Sequence, residues 1–171
     1  MMQRMAAMML TGCLGAAGSP LWAAEPVELS TRVSGVVETV WVKPGQQVKK
    51  GTALLRLERT ILQAQLAEAT AELARARADA GEARRERERA QELYKRTVSS
   101  TSELDAALLV DARAQATLGV AKARSAIAQK NLQDAVLKAP FDGVVKAVPG
   151  GPGTVVTAEC QPKPLIVFSP Q

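Results

Sequence analysis

The sequence contains no histidine and very few aromatic side chains. Its 171 residues include two tryptophans, one tyrosine and two phenylalanines. Without histidine, the chain lacks the commonest general base and the commonest metal ligand. Paired carboxylates at a fixed separation, a phosphate-binding glycine loop and a metal-ligand cluster are missing from the sequence pattern as well. We therefore expect no enzymatic activity, no cofactor and no bound metal.

The charge and the apolar residues of the sequence indicate which partners and which fold to expect. The net charge of +5 is modest, and no aromatic residues alternate with the basic ones to stack on bases, so we expect no nucleic-acid partner. Many of the apolar residues are alanines, which fill a thick globular core poorly. Because alanine favours helices and allows helix axes to approach closely, long paired helices suit this composition best.

Residues 1–24 have the pattern of a secretory leader. Arg4 precedes an apolar stretch that is too short to remain in a bilayer as a spanning helix, and small residues follow at Ala23. A competing signal is Leu10-Thr11-Gly12-Cys13, which resembles the lipobox of bacterial lipoproteins. The apolar run before Cys13 is only about six residues long, so cleavage near Ala23 is favoured. Either route places the mature chain in the periplasm, and lipidation of Cys13 would tether it to the inner membrane.

A short β pattern occurs twice, at a constant offset of 108 residues, as from Gly35 to Gly143. Each copy has alternating valines around a Pro-Gly turn, which is typical of short strands. The matched residues are Gly35-Val36-Val37 with Gly143-Val144-Val145, Val40 with Val148, Pro44-Gly45 with Pro152-Gly153, Val48 with Val156, and Leu57 with Leu165. One copy cannot bury a face alone, but two copies packed face to face would form a small β-sandwich with pseudo-twofold symmetry.

The segment between the copies has the pattern of an antiparallel helical hairpin. No proline interrupts residues 58–136, and an arm of about 38 residues would be about 57 Å long. Two charged residues, Arg87 and Asp111, take positions where the seam expects apolar residues, and could lie opposite each other. Small or apolar residues recur every three or four positions, as in a coiled-coil seam. They are Leu62, Leu66, Ala69, Leu73, Ala76, Ala80 and Ala83, then Leu104, Ala107, Ala114, Leu118, Ala121, Ser125, Ala128, Leu132 and Ala135.

The two arms are separated by residues 97–102, a run of β-branched and hydroxyl residues that a helix interior avoids. Two pairs in this region fit the capping box that begins a helix: Ser100 with Glu103, and Ser102 with Asp105. The tip of the hairpin is therefore expected near 97–102.

Two segments carry a family resemblance: Ser34-Gly35-Val36-Val37 through Val48-Lys49-Lys50-Gly51, and Leu137-Lys138-Ala139-Pro140-Phe141-Asp142-Gly143-Val144-Val145. They resemble the periplasmic adaptor (membrane fusion protein) family of tripartite efflux pumps. This resemblance implies an α+β fold, in which a split lipoyl-like (biotinyl/lipoyl) β-sandwich is interrupted by a long antiparallel α-helical coiled-coil hairpin. The expected divisions are a leader (1–24), the first half of the β domain (25–57), the hairpin (58–136) and the second half of the β domain (137–171).

The resemblance also implies a function and partners. An adaptor of this family is a non-catalytic periplasmic protein that links an inner-membrane transporter to an outer-membrane channel, and associates with further copies of itself or with a second adaptor. Adaptors of resistance-nodulation-division transporters carry an Arg, a Leu four residues later and a Ser seven residues further, near the hairpin tip. Arg89, Leu93 and Ser100 have that spacing. The resemblance therefore implies that these three residues contact the outer-membrane channel.

The sequence departs from the family pattern in two places. The family usually continues into a β-barrel domain and a membrane-proximal domain, whereas this sequence ends at Gln171, so no β-barrel domain is expected in it. In addition, Gly51 of the first copy corresponds to Glu159 of the second, so that turn is expected to differ.

Three other interpretations remain. An ABC-driven or type I secretion exporter uses an adaptor of the same architecture, although the type I adaptor often begins with a membrane helix. A lipoyl or biotinyl carrier needs a lysine at the tip of a β-hairpin, and only Lys43 lies near such a turn, in the wrong context. A truncated remnant of a longer adaptor would have the same pattern.

Overall fold

The computed structural model describes residues 25–158 and 163–170. The predicted leader, Cys13 and Glu159 lie outside the described residues. The elements are β1 (Val27–Leu29), β2 (Gly35–Val40), β3 (Gln47–Val48), β4 (Ala53–Leu57), α1 (Thr60–Lys95), α2 (Thr101–Asp134), β5 (Val136–Lys138), β6 (Gly143–Ala147), β7 (Val155–Val156) and β8 (Ile166–Pro170).

The eight strands form two four-stranded antiparallel sheets. One has the order β1–β8–β6–β3 and the other β5–β4–β2–β7, so each sheet combines strands from both ends of the sequence. The inward side chains of both sheets belong to one core, with Val37 and Leu57 from the first copy and Val145 and Phe168 from the second, all fully buried. This arrangement confirms the predicted β-sandwich made from two copies of the repeat.

Reciprocal backbone hydrogen bonds relate the two copies. The Gly45 N–H donates to the Val145 carbonyl at 2.8 Å, and the Gly153 N–H donates to the Val37 carbonyl at 2.8 Å. Both glycines have a φ of 85°, in the left-handed region that residues with a side chain rarely adopt. The Pro-Gly turns of the repeat are therefore the points at which each copy hydrogen-bonds to a strand of the other.

The constant offset fails at the last strand of each copy. Val37 lies opposite Leu57 in the β2–β4 pair, whereas Val145 lies opposite Phe168 in the β6–β8 pair. The structural equivalent of Leu57 is therefore Phe168, and the predicted match with Leu165 is wrong. The connection between β7 and β8 contains the three additional residues, because an insertion is tolerated between strands more readily than within a paired strand.

The helices α1 and α2 leave the sandwich between the neighbouring strands β4 and β5 and pack against each other as a hairpin. With 36 and 34 residues, they are about 54 and 51 Å long. At the root, the Leu57 N–H donates to the Ala135 carbonyl at 2.8 Å. Alanines at the predicted seam positions are buried, which lets the helix axes approach closely: Ala76, Ala80, Ala83, Ala107 and Ala121. Neither helix contains a segment that is apolar enough over a sufficient length to cross a bilayer.

Candidate functional site at the hairpin tip

Ser100 begins the second helix of the hairpin. Its Oγ accepts a hydrogen bond from the Glu103 N–H at 3.3 Å, and the Glu103 carboxylate accepts one from the Ser100 N–H at 2.9 Å. These reciprocal bonds form a capping box, so the first of the two candidate boxes in the sequence is the one used. Ser102 lies within the first turn of α2 instead. The Ser100 side chain is exposed at the end of the arm.

An open apolar groove lies between the last turns of α1 and the first turns of α2. Its volume is about 550 Å³, and we call it the tip groove. Leu93 is 45% exposed and Val98 is 71% exposed, although both are large apolar residues. Exposed apolar side chains that cluster in a concave surface are typical of a site that another molecule covers. The tip groove is lined by Glu86, Ala90, Leu93, Val98, Ser99, Glu103, Ala106, Ala107 and Val110.

Arg89 is bound to its own helix by two carboxylates. Its guanidinium pairs with Glu86 and, at 3.3 Å, with Glu82. The hydrogen bond to Glu86 raises the pKa of Arg89 further above its already high value. The hydrogen bond from Arg85 lowers the pKa of Glu82, so this carboxylate stays charged at a lower pH than an isolated glutamate does. A partner group that binds Arg89 must therefore compete with charged neighbours.

The three predicted site residues differ in their relation to the tip groove. Leu93 lines it directly. Arg89 and Ser100 do not, but the carboxylate partner of each one does: Glu86 pairs with Arg89, and Glu103 caps with Ser100. All three are thus connected to the same surface. Sequence reasoning missed Val98, which it treated only as a helix breaker, and Val110, which lies outside the seam pattern. Both are large apolar residues at positions outside the seam, and that feature of the sequence could have identified them as candidate contact residues.

The buried ion pair of the hairpin lies just below the tip groove. The Arg87 Nη1 is 2.8 Å from the Asp111 Oδ2, which confirms that these two seam positions face each other. Asp111 is only 6% exposed, and its second oxygen accepts a hydrogen bond from the Gln115 Nε2 at 3.3 Å. Within residues 25–158 and 163–170, no group of three or more potential ligands is placed to hold a metal ion.

A β-sandwich that is split by a helical hairpin with an exposed apolar tip defines a non-globular scaffold, in which one end is remote from the other. The sequence model of the CzcB-like, barrel-sandwich hybrid domain family matches residues 25–161, most of the chain. The chain therefore belongs to this family of membrane fusion (periplasmic adaptor) proteins, which confirms the predicted lipoyl-like fold class.

Two similar curated proteins are both named multidrug resistance protein MdtA. The protein of Cronobacter turicensis is 34% identical over 123 residues, which are 72% of this chain and 30% of that protein. The protein of Escherichia coli is 32% identical over 159 residues, or 87% of this chain and 38% of that protein. A solved MacA–MexA chimera containing the Pseudomonas aeruginosa MexA α-hairpin is 26% identical, with a TM-score of 0.64 over 86% of this chain and 48% of the chimera. The chain thus spans less than half the length of each.

Proposed function

We propose that this chain is the periplasmic adaptor of an efflux pump, and that its hairpin tip binds an outer-membrane channel while the rest of the adaptor binds an inner-membrane transporter. The observation that carries the proposal is the tip groove, with its exposed Leu93 and Val98, at the far end of an arm about 54 Å long. An arm of this length reaches a partner that the sandwich itself does not touch. The MdtA relatives are named for multidrug resistance, which agrees with a role in efflux.

Each of the three motif residues has a distinct part in the proposed contact. Leu93 is an apolar anchor beside polar groups, the composition that favours an interface centre with a polar rim. Arg89 supplies a cation that a channel carboxylate or carbonyl can share with Glu86. The Ser100 Oγ already accepts a hydrogen bond within the cap, so its hydroxyl hydrogen is the group it offers to the channel. Their spacing favours a transporter of the resistance-nodulation-division class.

A single tip contributes little binding energy, about 1–3 kcal/mol per anchor. We therefore expect several copies of the adaptor, or of this chain with a second adaptor, to surround one channel, so that many weak contacts act together. The leader predicted over residues 1–24 would deliver the chain to the periplasm, where both ends of this assembly are accessible.

Leu93→Ser tests the proposed function directly. Because Leu93 is half exposed, we expect the variant to fold normally and to lose co-purification with the outer-membrane channel of the same bacterium. Circular dichroism measures the fold, and Val120→Ser is the matched control, since Val120 is 53% exposed on α2 away from the tip groove. If Leu93→Ser unfolds the hairpin, Leu93 is a structural residue. A folded variant that still binds the channel would show that the tip is not the docking site.

A further inference from the structure

The turn that ends α1 is a Schellman motif with threonine in the position that glycine usually takes. The Thr97 N–H donates to the Tyr94 carbonyl at 3.0 Å, and the Val98 N–H donates to the Leu93 carbonyl at 3.0 Å. Thr97 has a φ of 60°, the left-handed region in which a β-branched side chain is strained. Among the described residues, no other residue besides glycine has a positive φ. The strain is thus confined to the hairpin tip.

This turn places two apolar side chains on one surface. One of the two hydrogen bonds of a Schellman motif spans five residues along the chain, and the two residues that it joins are frequently in apolar contact. Here these residues are Leu93 and Val98, and both line the tip groove. Val98 has the highest exposed fraction of any large apolar side chain in residues 25–158 and 163–170. Neither an exposed valine nor a strained threonine stabilises the free hairpin. Their combination at a free end therefore favours a role in binding.

We propose that Val98 is a second apolar anchor, which forms one binding surface with Leu93, and that the rigid turn at Thr97 holds it in place. This inference rests on the proposed docking of the tip. The charged side chains that line the tip groove are the carboxylates of Glu86 and Glu103. Glu86 is paired with Arg89, whereas the Glu103 carboxylate accepts a hydrogen bond only from the uncharged Ser100 N–H, so the groove keeps a negative charge at Glu103. The complementary occupant is therefore a part of the outer-membrane channel that carries an apolar side chain for Leu93 and Val98 next to a lysine or arginine for Glu103.

A substitution at Thr97 can distinguish whether the turn serves channel binding or only the folding of the hairpin. Thr97→Gly removes the strain at a positive φ, so the hairpin should melt at the same temperature or a higher one. Glycine also makes the free turn more flexible, and a flexible turn must be ordered when the channel binds. The variant should therefore bind several-fold more weakly while its melting temperature does not fall. If Thr97 only closed the turn, its replacement by glycine would not weaken channel binding while keeping or raising the melting temperature.

The experiment uses the full chain, immobilised densely enough for several tips to contact one channel, and the outer-membrane channel purified from the same bacterium in detergent, with the apparent dissociation constant measured by biolayer interferometry. We expect Val98→Ser to weaken binding about 10-fold, as hot-spot truncations do, without lowering the melting temperature. Val98→Thr keeps the branched shape and should weaken binding as well, because a hydroxyl replaces a methyl group that the channel would bury. Val155→Ser is the matched control, since Val155 is 66% exposed on the sandwich, and should bind like the parent chain.

The outcomes distinguish this inference from the proposed function. If the parent chain does not bind the channel, both are overturned. If the parent chain binds and Leu93→Ser weakens binding while both Val98 variants bind normally, only the role of Val98 is overturned. If both Val98 variants unfold, Val98 is a structural residue and the inference is wrong. A Thr97→Gly variant with unchanged affinity would overturn the positioning role of the turn.

Discussion

Arg87 and Asp111 place one ion pair in a helix seam that is otherwise made mostly of alanine and leucine. Removing two charges from water is costly, and a buried pair seldom stabilises a fold more than apolar residues of the same size would. Its better-documented effect is to select one register among several, because a slipped register leaves both charges unpaired. In a seam of similar alanines, many registers of the two helices pack comparably, so the ion pair helps to specify a single register. The pair lies next to the tip groove, so it also fixes which residues of α1 and α2 meet there.

Asp111→Ala should lower the free energy of unfolding by about 2 kcal/mol. Breaking a fully buried pair costs about 3–5 kcal/mol, but the Arg87 side chain is 30% exposed and can turn partly toward water. Urea denaturation followed by circular dichroism measures the loss. The control is Glu92→Ala, which breaks the exposed pair with Arg96 and should cost less than about 1 kcal/mol. Equal losses for the two variants would mean that the buried pair adds nothing beyond a surface pair.

At the scale of the helical elements, the seam and the position of the tip could be predicted from the sequence, and the geometry of the tip could not. Periodicity is local, and the predicted positions from Leu62 to Ala135 are all buried or partly buried in the structure. The tip depends instead on a competition between two overlapping capping boxes and on a backbone strain at Thr97. Neither is visible in periodicity, because Ser102 fits the capping pattern as well as Ser100 does. Val98 consequently appeared as a break between helices, and its place beside Leu93 required the geometry of the turn.

Ser100→Ala should destabilise the chain by about 1 kcal/mol, the usual effect of losing a helix N-cap. Ser102→Ala should change the free energy of unfolding by less than about 0.5 kcal/mol, because Ser102 is an exposed residue within the helix. Urea denaturation of the two variants side by side decides between the two capping boxes. A larger loss from Ser102→Ala would contradict the observed cap.

The Ser100→Asp variant can distinguish the role of Ser100 as a helix cap from its proposed role in channel binding. Aspartate is as good an N-cap as serine, so the variant should retain the stability of the parent chain. An ionised carboxylate only accepts hydrogen bonds, whereas the serine hydroxyl also donates one. If the hydroxyl contacts the channel as proposed, the stable Ser100→Asp variant should co-purify with it less well. Normal co-purification would assign Ser100 to the cap alone.

At the scale of the whole molecule, the repeat predicted the sandwich but misplaced one strand. The offset matches β2 with β6 and β3 with β7, where reciprocal hydrogen bonds tie the copies together. Leu165 satisfied the same pattern as Leu57 because it is also a buried leucine, although it precedes β8 rather than belonging to it. A hydrophobic pattern reports burial and does not report pairing, so an insertion in a connection passes unnoticed. The true equivalent of Leu57 is the larger side chain of Phe168.

Two glycines at equivalent positions of the repeat, Gly35 and Gly143, have unequal surroundings. A Cβ added at Gly35 would meet Leu57 at 3.6 Å, an ordinary van der Waals distance. A Cβ added at Gly143 would collide with the Ser169 carbonyl oxygen and approach the Phe168 ring to 3.0 Å. The ring is fully buried, and the carbonyl belongs to the backbone of β8, which pairs with β6. Relief of the collision would therefore require the two strands to separate.

We expect Gly143→Ala to lower the free energy of unfolding by about 3 kcal/mol, the upper part of the range for overpacked cores. Gly35→Ala, at the symmetry-related position, should change it by less than about 1 kcal/mol, because the strand backbone there accepts a methyl group without displacement. Urea denaturation of both variants, followed by circular dichroism, measures the difference. A double variant in which Phe168→Leu accompanies Gly143→Ala should remain destabilised, since the Ser169 carbonyl still blocks the methyl group. Equal stability of Gly35→Ala and Gly143→Ala would show that β6 and β8 lie farther apart than described.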